Sequence, residues 1–196
     1  MEEFKFIYSG PLLYKSTLSK EDVSTLLKIC NKNKRIAFNQ NLVGVIEEEY
    51  LIKDVKSVTS ILNKYMKNFF NVHKHWYGYT LSSVQYKSIW TNFMKAGEYN
   101  PPHTHEDCNF SSVFFIDVPD EIAEEHEDMI NKEKGTKPGQ LVFQMSPEIP
   151  GYIAEHNHTP ITGDFFLFPA SLKHYVNPFK SKVTRISMAA NMQMKE

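Results

Sequence analysis

The sequence is short of cysteine, of charge imbalance and of long apolar runs. Its two cysteines, Cys30 and Cys108, are too few for a disulfide framework or a thiolate zinc site, so a reducing interior suits the chain. Lys and Arg number 22 against 23 Asp and Glu, for a net charge of −1. That excludes a domain held on nucleic acid by bulk positive charge, because neutralising phosphates takes clustered cations. The longest apolar runs, such as Phe165 to Pro169, are strand-sized, and none is long enough to cross a bilayer. The stretch from Met1 to Leu13 carries Glu2, Glu3 and Lys5, without the cationic start and apolar segment of a signal peptide. The expectation is a cytoplasmic protein that binds neither membrane nor nucleic acid. No internal repeat, low-complexity segment or linker is present. What the chain does have is 196 residues, 41% of them hydrophobic, and eight histidines. The length and apolar content suffice for one core without staples.

The first 75 residues read as mainly helical. Ser19-Lys-Glu-Asp22 resembles a capping box with Asp in place of Glu. Val23, Leu26, Leu27 and Cys30 follow at helical spacing. A second helix is expected from about Asp54 to Phe70, where Val55, Val58, Ile61, Leu62, Tyr65, Met66, Phe69 and Phe70 form one wide apolar stripe. From about Tyr77 the pattern turns to β. Val84, Tyr86 and Trp90 fall on one parity, and segments 111–118, 140–145, 163–168 and 184–191 read as further strands between Gly and Pro punctuation. The acidic run from Asp120 to Asp128 reads as a short helix or a solvated, solvent-facing insertion. The reading is an α+β protein of one domain, 1–196. Residues 1–75 are mainly helical and cover one face of a β-sandwich or barrel built from 76–196.

Three groups of residues carry chemistry. In Pro101-Pro-His103-Thr-His105-Glu-Asp107, residues two apart share a face of an extended strand. The segment therefore offers His103 with His105, or His105 with Asp107, as a two-ligand arm. In Gly163-Asp-Phe-Phe-Leu-Phe-Pro169-Ala-Ser-Leu-Lys-His174, an apolar strand and turn deliver His174 as a third ligand. Three ligands on one face of an octahedral ion leave three positions open, which suits non-haem Fe(II) and oxygen. Arg185 and Ser187 share a face of the next strand, where a guanidinium beside a hydroxyl can clamp a carboxylate. A clamp beside an open metal site implies a small dicarboxylate held by both.

These residues resemble the Fe(II)- and 2-oxoglutarate-dependent oxygenases. Trp90-Thr-Asn92, Gly97-Glu-Tyr-Asn-Pro-Pro-His-Thr-His105, Ser111, Gly163-Asp, Phe168-Pro169, Arg185-Ile-Ser187 and Asn191 are similar, more narrowly, to a small oxygenase family of bacteria and T4-like phages of cyanobacteria. The resemblance spans about 84–191 and leaves the N-terminal helices outside. It implies a double-stranded β-helix, a jelly-roll or cupin-like core, with the helices packed on one face. It implies Fe(II) on His103, His105 and His174, and 2-oxoglutarate with its distal carboxylate on Arg185 and support from Ser187. Oxygen would be the second co-substrate, and a C–H bond of a protein or small-molecule substrate, such as a peptidyl proline, would be hydroxylated with release of succinate and CO2. The wider superfamily's His-x-Asp spelling instead fits His105, Asp107 and His174, so both ligand sets stand at this point. Asn92 could touch the keto acid or satisfy a buried backbone group. A homodimer is allowed, and a phage-encoded copy would work in the host cytoplasm.

The remaining histidines read as bystanders. His156-Asn-His158 looks like a loop at the mouth, His73 and His75 look structural after the long helix, and His126 looks solvated. Trp90, Phe115 and Tyr99 are candidates for core or pocket lining, and Cys108 for a buried neighbour of the metal arm. A cupin-type metal protein, or a dioxygenase that needs no keto acid, is the competing reading. A degenerate barrel used as an interaction module is a third.

Overall fold

The computed structural model describes residues 10–34, 36–131, 137–146 and 154–195, with the side chains of 130 and 131 left aside. The signal-peptide reading of the first residues lies largely outside this range. Ten strands and three α-helices are seen among the described residues. They are β1 (Tyr14–Thr17), α1 (Lys20–Lys32), β2 (Glu49–Leu51), α2 (Val55–Tyr77), β3 (Ser83–Met94), β4 (Asn100–His103), β5 (Phe110–Asp117), α3 (Asp120–Asn131), β6 (Leu141–Gln144), β7 (Glu155–His158), β8 (Asp164–Pro169), β9 (His174–Val176) and β10 (Arg185–Lys195).

Two antiparallel sheets face each other. One has six strands in the order β1-β8-β5-β10-β3-β2, the other four in the order β4-β9-β6-β7. The inner eight strands make a jelly roll, the double-stranded β-helix that the resemblance implies. Period two in the long strands separates two cores. Ile89, Phe93, Phe110, Phe114, Phe165, Leu167, Ile186 and Met188 point to the helices. Met94, Phe115, Phe166, Phe168, Phe143 and Leu141 point between the sheets. A strand buried on both faces loses the polar alternation of a surface strand, and β8 is apolar for that reason.

The helices cover the outer face of the six-stranded sheet. Ser19 caps α1 by accepting from the Asp22 N–H at 3.1 Å. The capping box stops there, because the Asp22 carboxylate does not reach back. It accepts instead from Lys64 Nζ and Tyr65 Oη, each at 2.7 Å, and so ties α1 to α2. Helix α2 runs seven residues past the expected end and stops at Gly78, whose φ of 78° closes the helix in the left-handed region. His73 and His75 are therefore on the helix rather than after it. His73 is buried among Phe69, Tyr77, Tyr79 and Phe110.

The N-terminal region is less uniformly helical than its sequence suggests, since β1 and β2 extend the larger sheet at its two edges. The acidic run is helix α3, and it is more than a solvated insertion. Ile122 is buried in the inter-sheet core, and the Glu125 carboxylate accepts from the N–H groups of Lys180 and Ser181. No helix among the described residues is long and apolar enough to cross a membrane.

Candidate active site

Strand parity turns a particular set of polar residues into the space between the sheets. On β10, Ile186, Met188 and Ala190 pack toward the helices, so Arg185, Ser187 and Ala189 face inward and line the inner cavity. On β3, Trp90 and Asn92 do the same. The register sets Ser187 opposite Asn92 and Arg185 opposite Met94. The same cavity is lined by His103, His105 and His174.

The three histidines converge because of where two strands and a turn meet. His103 ends β4 and is the cross-strand partner of His174, which begins β9. His105 lies beyond β4, and its N–H donates to Ala170 O at 2.9 Å. The Ala170 N–H donates in turn to Asn109 O at 2.9 Å, which pins the 105–109 loop to the turn after β8. One nitrogen of each ring lies within 4.8 Å of the others, and the His105 and His174 Nε2 atoms are 3.3 Å apart.

The outward nitrogens are held by the backbone. His103 Nδ1 donates to Pro101 O at 2.7 Å and His174 Nδ1 to Leu172 O at 2.9 Å. A carbonyl only accepts, so in both rings Nδ1 carries the proton and Nε2 keeps its lone pair for a ligand. The Asn191 side-chain amide lies 3.4 Å from His105 Nδ1. With its oxygen turned to the ring it accepts the Nδ1 proton and completes the pattern. Burial pushes His105 down to about 4 and His174 to about 3, with His103 adding to both, and burial lowers His103 as well. All three rings are neutral at neutral pH, the form that binds a metal.

Asp107, the alternative ligand from the sequence, is not in this cluster. Its φ of 55° puts the backbone in the left-handed region, so the strand parity that would align it with His105 is already broken. Its side chain is exposed.

Arg185 lies deeper in the cavity at 3% exposure. Its Nη1 donates to Gly139 O at 2.7 Å and its Nη2 to Met94 Sδ at 2.9 Å, while Nε has no partner. Burial lowers it to about 10, so it remains a cation at neutral pH. No carboxylate among the described residues pairs with it. An unpaired buried charge costs several kcal/mol, so this position needs an anion. Beside it, Asn92 Nδ2 donates to Ser187 Oγ at 3.2 Å, and Asn92 Oδ1 is buried without a partner. Gly139 makes room for this arrangement: its φ is 66°, and a Cβ there would stand 2.6 Å from Ile122 Cγ2.

The other residues singled out from sequence divide clearly. Trp90 and Phe115 line the cavity, whereas Tyr99 is 39% exposed. Cys108 is half-buried and takes no part in the histidine cluster. His156 and His158 are not in a loop: they lie on β7, paired with β6. His158 Nε2 meets Asp164 Oδ2 at 2.6 Å, away from the three converging rings. His126 faces the Gln140 amide. One residue had no sequence signal at all. Glu49 on β2 is 1% exposed, and its Oε2 has no partner.

Three neutral imidazoles and a buried guanidinium facing one cavity inside a jelly roll form an arrangement that could hold a metal ion beside a carboxylate. No thiolate is present to favour zinc or an iron–sulfur cluster, and the donor set fits Fe(II) with open positions. The profile of the family described as "Putative 2OG-Fe(II) oxygenase" matches residues 88–191, and the chain belongs to that family. It is an Fe(II)- and 2-oxoglutarate-dependent oxygenase.

Solved structures of similar fold include a prolyl-4-hydroxylase of Pseudomonas putida, with TM-score 0.63 and 13% identity over 94% of this chain and 93% of that one. A viral collagen prolyl hydroxylase of Paramecium Bursaria Chlorella virus-1 in its 2OG complex gives TM-score 0.59 and 15% identity over 92% and 94%. A prolyl hydroxylase of Trichoplax adhaerens, in complex with a hypoxia inducible factor peptide fragment, gives 0.57 and 11% over 94% and 83%. No curated protein matches the sequence. The cupin reading has no use for a buried arginine with an amide and a hydroxyl beside it, and the family assignment replaces it.

Proposed function

We propose that the chain hydroxylates a C–H bond of a polypeptide residue, proline being the first candidate. Fe(II) would be held by His103, His105 and His174, and 2-oxoglutarate by Arg185, Ser187 and Asn92. The single observation that carries the reading is the shared cavity in which the three histidines and the uncompensated Arg185 face each other. A dicarboxylate with one end on the guanidinium supplies the missing anion and extends its keto-acid end toward the histidines. When bound, Fe(II) supplies the oxygen activation that couples loss of CO2 from 2-oxoglutarate to hydroxylation and succinate formation.

The chain's own residues position the reactants. The Pro101 and Leu172 carbonyls hold two rings in the tautomer that presents Nε2. Ser187 and Asn92 offer hydrogen bonds beside the carboxylate, and Phe115, whose ring centre is 5.4 Å from the guanidinium carbon, shields it from water. Fixing both co-substrate ends removes orientational freedom before the reaction begins. The polypeptide reading draws on the prolyl hydroxylases among the structural neighbours, and it also accords with an outer pocket of about 290 Å³ that adjoins His103 and His105.

The test is spectroscopic. Purified protein is loaded anaerobically with Fe(II) and given 2-oxoglutarate, and a weak visible charge-transfer band is expected, followed by succinate on admission of oxygen. Absence of both sinks the proposal. Peptides with and without proline, assayed for a mass gain of one oxygen, separate a prolyl substrate from other residues.

A further inference from the structure

The outer pocket is lined by Glu49, Trp90, Asn100, His103, His105 and Asn191, and it opens directly onto two of the converging histidines. Glu49 is its anomaly. It pairs in register with Asn92 across β2 and β3, so both side chains stand on the same face of the sheet, toward the cavity. A carboxyl at 1% exposure with an unpartnered oxygen is expensive to keep. No ion pair with Glu49 occurs among the described residues. The same sheet also shows what a satisfied buried carboxylate looks like, since Asp164 is held by Lys15 and His158. The second carboxylate lining the pocket is Glu106, and no described Lys or Arg lines it. The pocket next to the reacting centre is thus acidic, and it holds one acceptor that the fold leaves unused.

We infer that Glu49 is a specificity-determining residue, which receives a basic group of the substrate, an ammonium or a guanidinium, while the carbon to be hydroxylated lies over His103 and His105. This rests on the oxygenase reading of the histidine site. A carboxylate buried with one free oxygen rejects a neutral isostere more strongly than it would at the surface, because the neutral group leaves it unpaired. Burial, with the negative Glu98 nearby, raises Glu49 to about 8, and a cation placed beside it opposes that rise and favours the carboxylate.

The experiment uses the full chain with Mn(II) and 2-oxoglutarate, titrated with N-acetyl-arginine amide, N-acetyl-lysine amide and the neutral N-acetyl-citrulline amide, with binding read from tryptophan fluorescence and by NMR. One of the basic probes is expected to bind about tenfold or more tightly than the citrulline probe. The tighter of the two identifies the group as guanidinium or ammonium. Glu49→Gln is expected to bring the ratio to about one, with an unchanged circular-dichroism spectrum. Equal binding of all three probes, or a preference that survives Glu49→Gln, overturns the inference. The comparison among probes on the unmutated chain stands even where the variant folds poorly. A charge-transfer band without a cation preference defeats the Glu49 inference alone. A cation preference without the band defeats the oxygenase reading of the site and leaves the acidic pocket standing.

Discussion

Arg185 is a buried cation without a counter-ion among the described residues, and Glu49, in the adjoining pocket, is a buried carboxyl with one oxygen left unpartnered. For Arg185 the expected outcome of Arg185→Ala is a loss of 2-oxoglutarate affinity of about 2–4 kcal/mol, with Fe(II) binding kept. Calorimetric titration of each variant with metal and then keto acid checks it, and equal loss of both ligands contradicts the assigned role. For the metal, His174→Ala and His103→Ala are expected to abolish iron retention and Asp107→Ala to leave it intact, as measured by metal content after gel filtration. Glu49 yields a pH prediction with the opposite sign to most carboxylates. Its folded pKa is raised by burial and by Glu98, so the unliganded protein loses stability as pH rises from the ordinary carboxylate range through about 8. The titratable groups facing it across the pocket are Glu106 and the two histidines, His103 and His105, whose burial keeps them neutral at neutral pH. Glu49→Gln is therefore expected to raise the unfolding free energy by about 1–3 kcal/mol at pH 8 and by little at pH 5, as read from urea midpoints at both. At this scale the gathering of the candidate residues around one cavity was largely legible. His103, His105, His174, Arg185, Ser187 and Asn92 are residue types with few alternative uses at strand spacing. Asp107 falls outside the cluster, because a left-handed residue is invisible to parity counting. Glu49 was hidden because it ends a run of three glutamates that reads as solvated surface.

Among the elements, the union of α1 and α2 rests on Asp22 as well as on apolar packing. Asp22 is buried, which opposes its charge, yet Lys64, Tyr65 and the Ser19 cap hold it below its usual value. A lowered carboxylate stabilises the fold above its unfolded pKa and loses that contribution as pH falls through the folded one. Asp22→Asn is expected to cost about 1–2 kcal/mol at pH 7, with the deficit shrinking below about pH 4. Chemical denaturation at the two pH values checks this. The helices were legible from periodicity because their apolar stripes are one-sided. Strands β1, β2, β7 and β9 were not read as such, for a common reason. Each has three or four residues, too few for alternation to show, and they are held by neighbours in the sheet rather than by local preference. The Pro101-Pro102 pair in β4 runs against strand propensity, and there pairing with β9 prevails.

For the molecule as a whole, the site occupies the space between two sheets, so its ligands act on the stability of the entire barrel. Each ligand held only by the native state adds about 2.7 kcal/mol at one hundred times its dissociation constant. For a chain of this size 1 kcal/mol moves the midpoint by about 2–4 °C. Anaerobic thermal melts with Fe(II) and 2-oxoglutarate together are expected to rise by about 10–20 °C, and a chelator should return the midpoint to its starting value. A rise with 2-oxoglutarate alone as large as with both would contradict a keto acid that spans the arginine and the metal. The α+β character was visible in the change of period near Tyr77, while the jelly roll came from the family resemblance, the period alone giving a sandwich or barrel. The pairing order of the strands was not, because it depends on contacts between residues as distant as Ser83 and Lys195.

Strand β10 lies between β3 and β5, with Arg185, Ser187 and Ala189 on one side and Ile186, Met188 and Ala190 on the other. A single inserted or deleted codon inside this stretch would exchange the two sets, sending the guanidinium into the helix-side core and aliphatic side chains into the cavity. Catalysis and folding are thus written in the same reading frame of one strand. Descendants of this gene can vary in length at the surface loops, but within 185–190 they can change only by substitution.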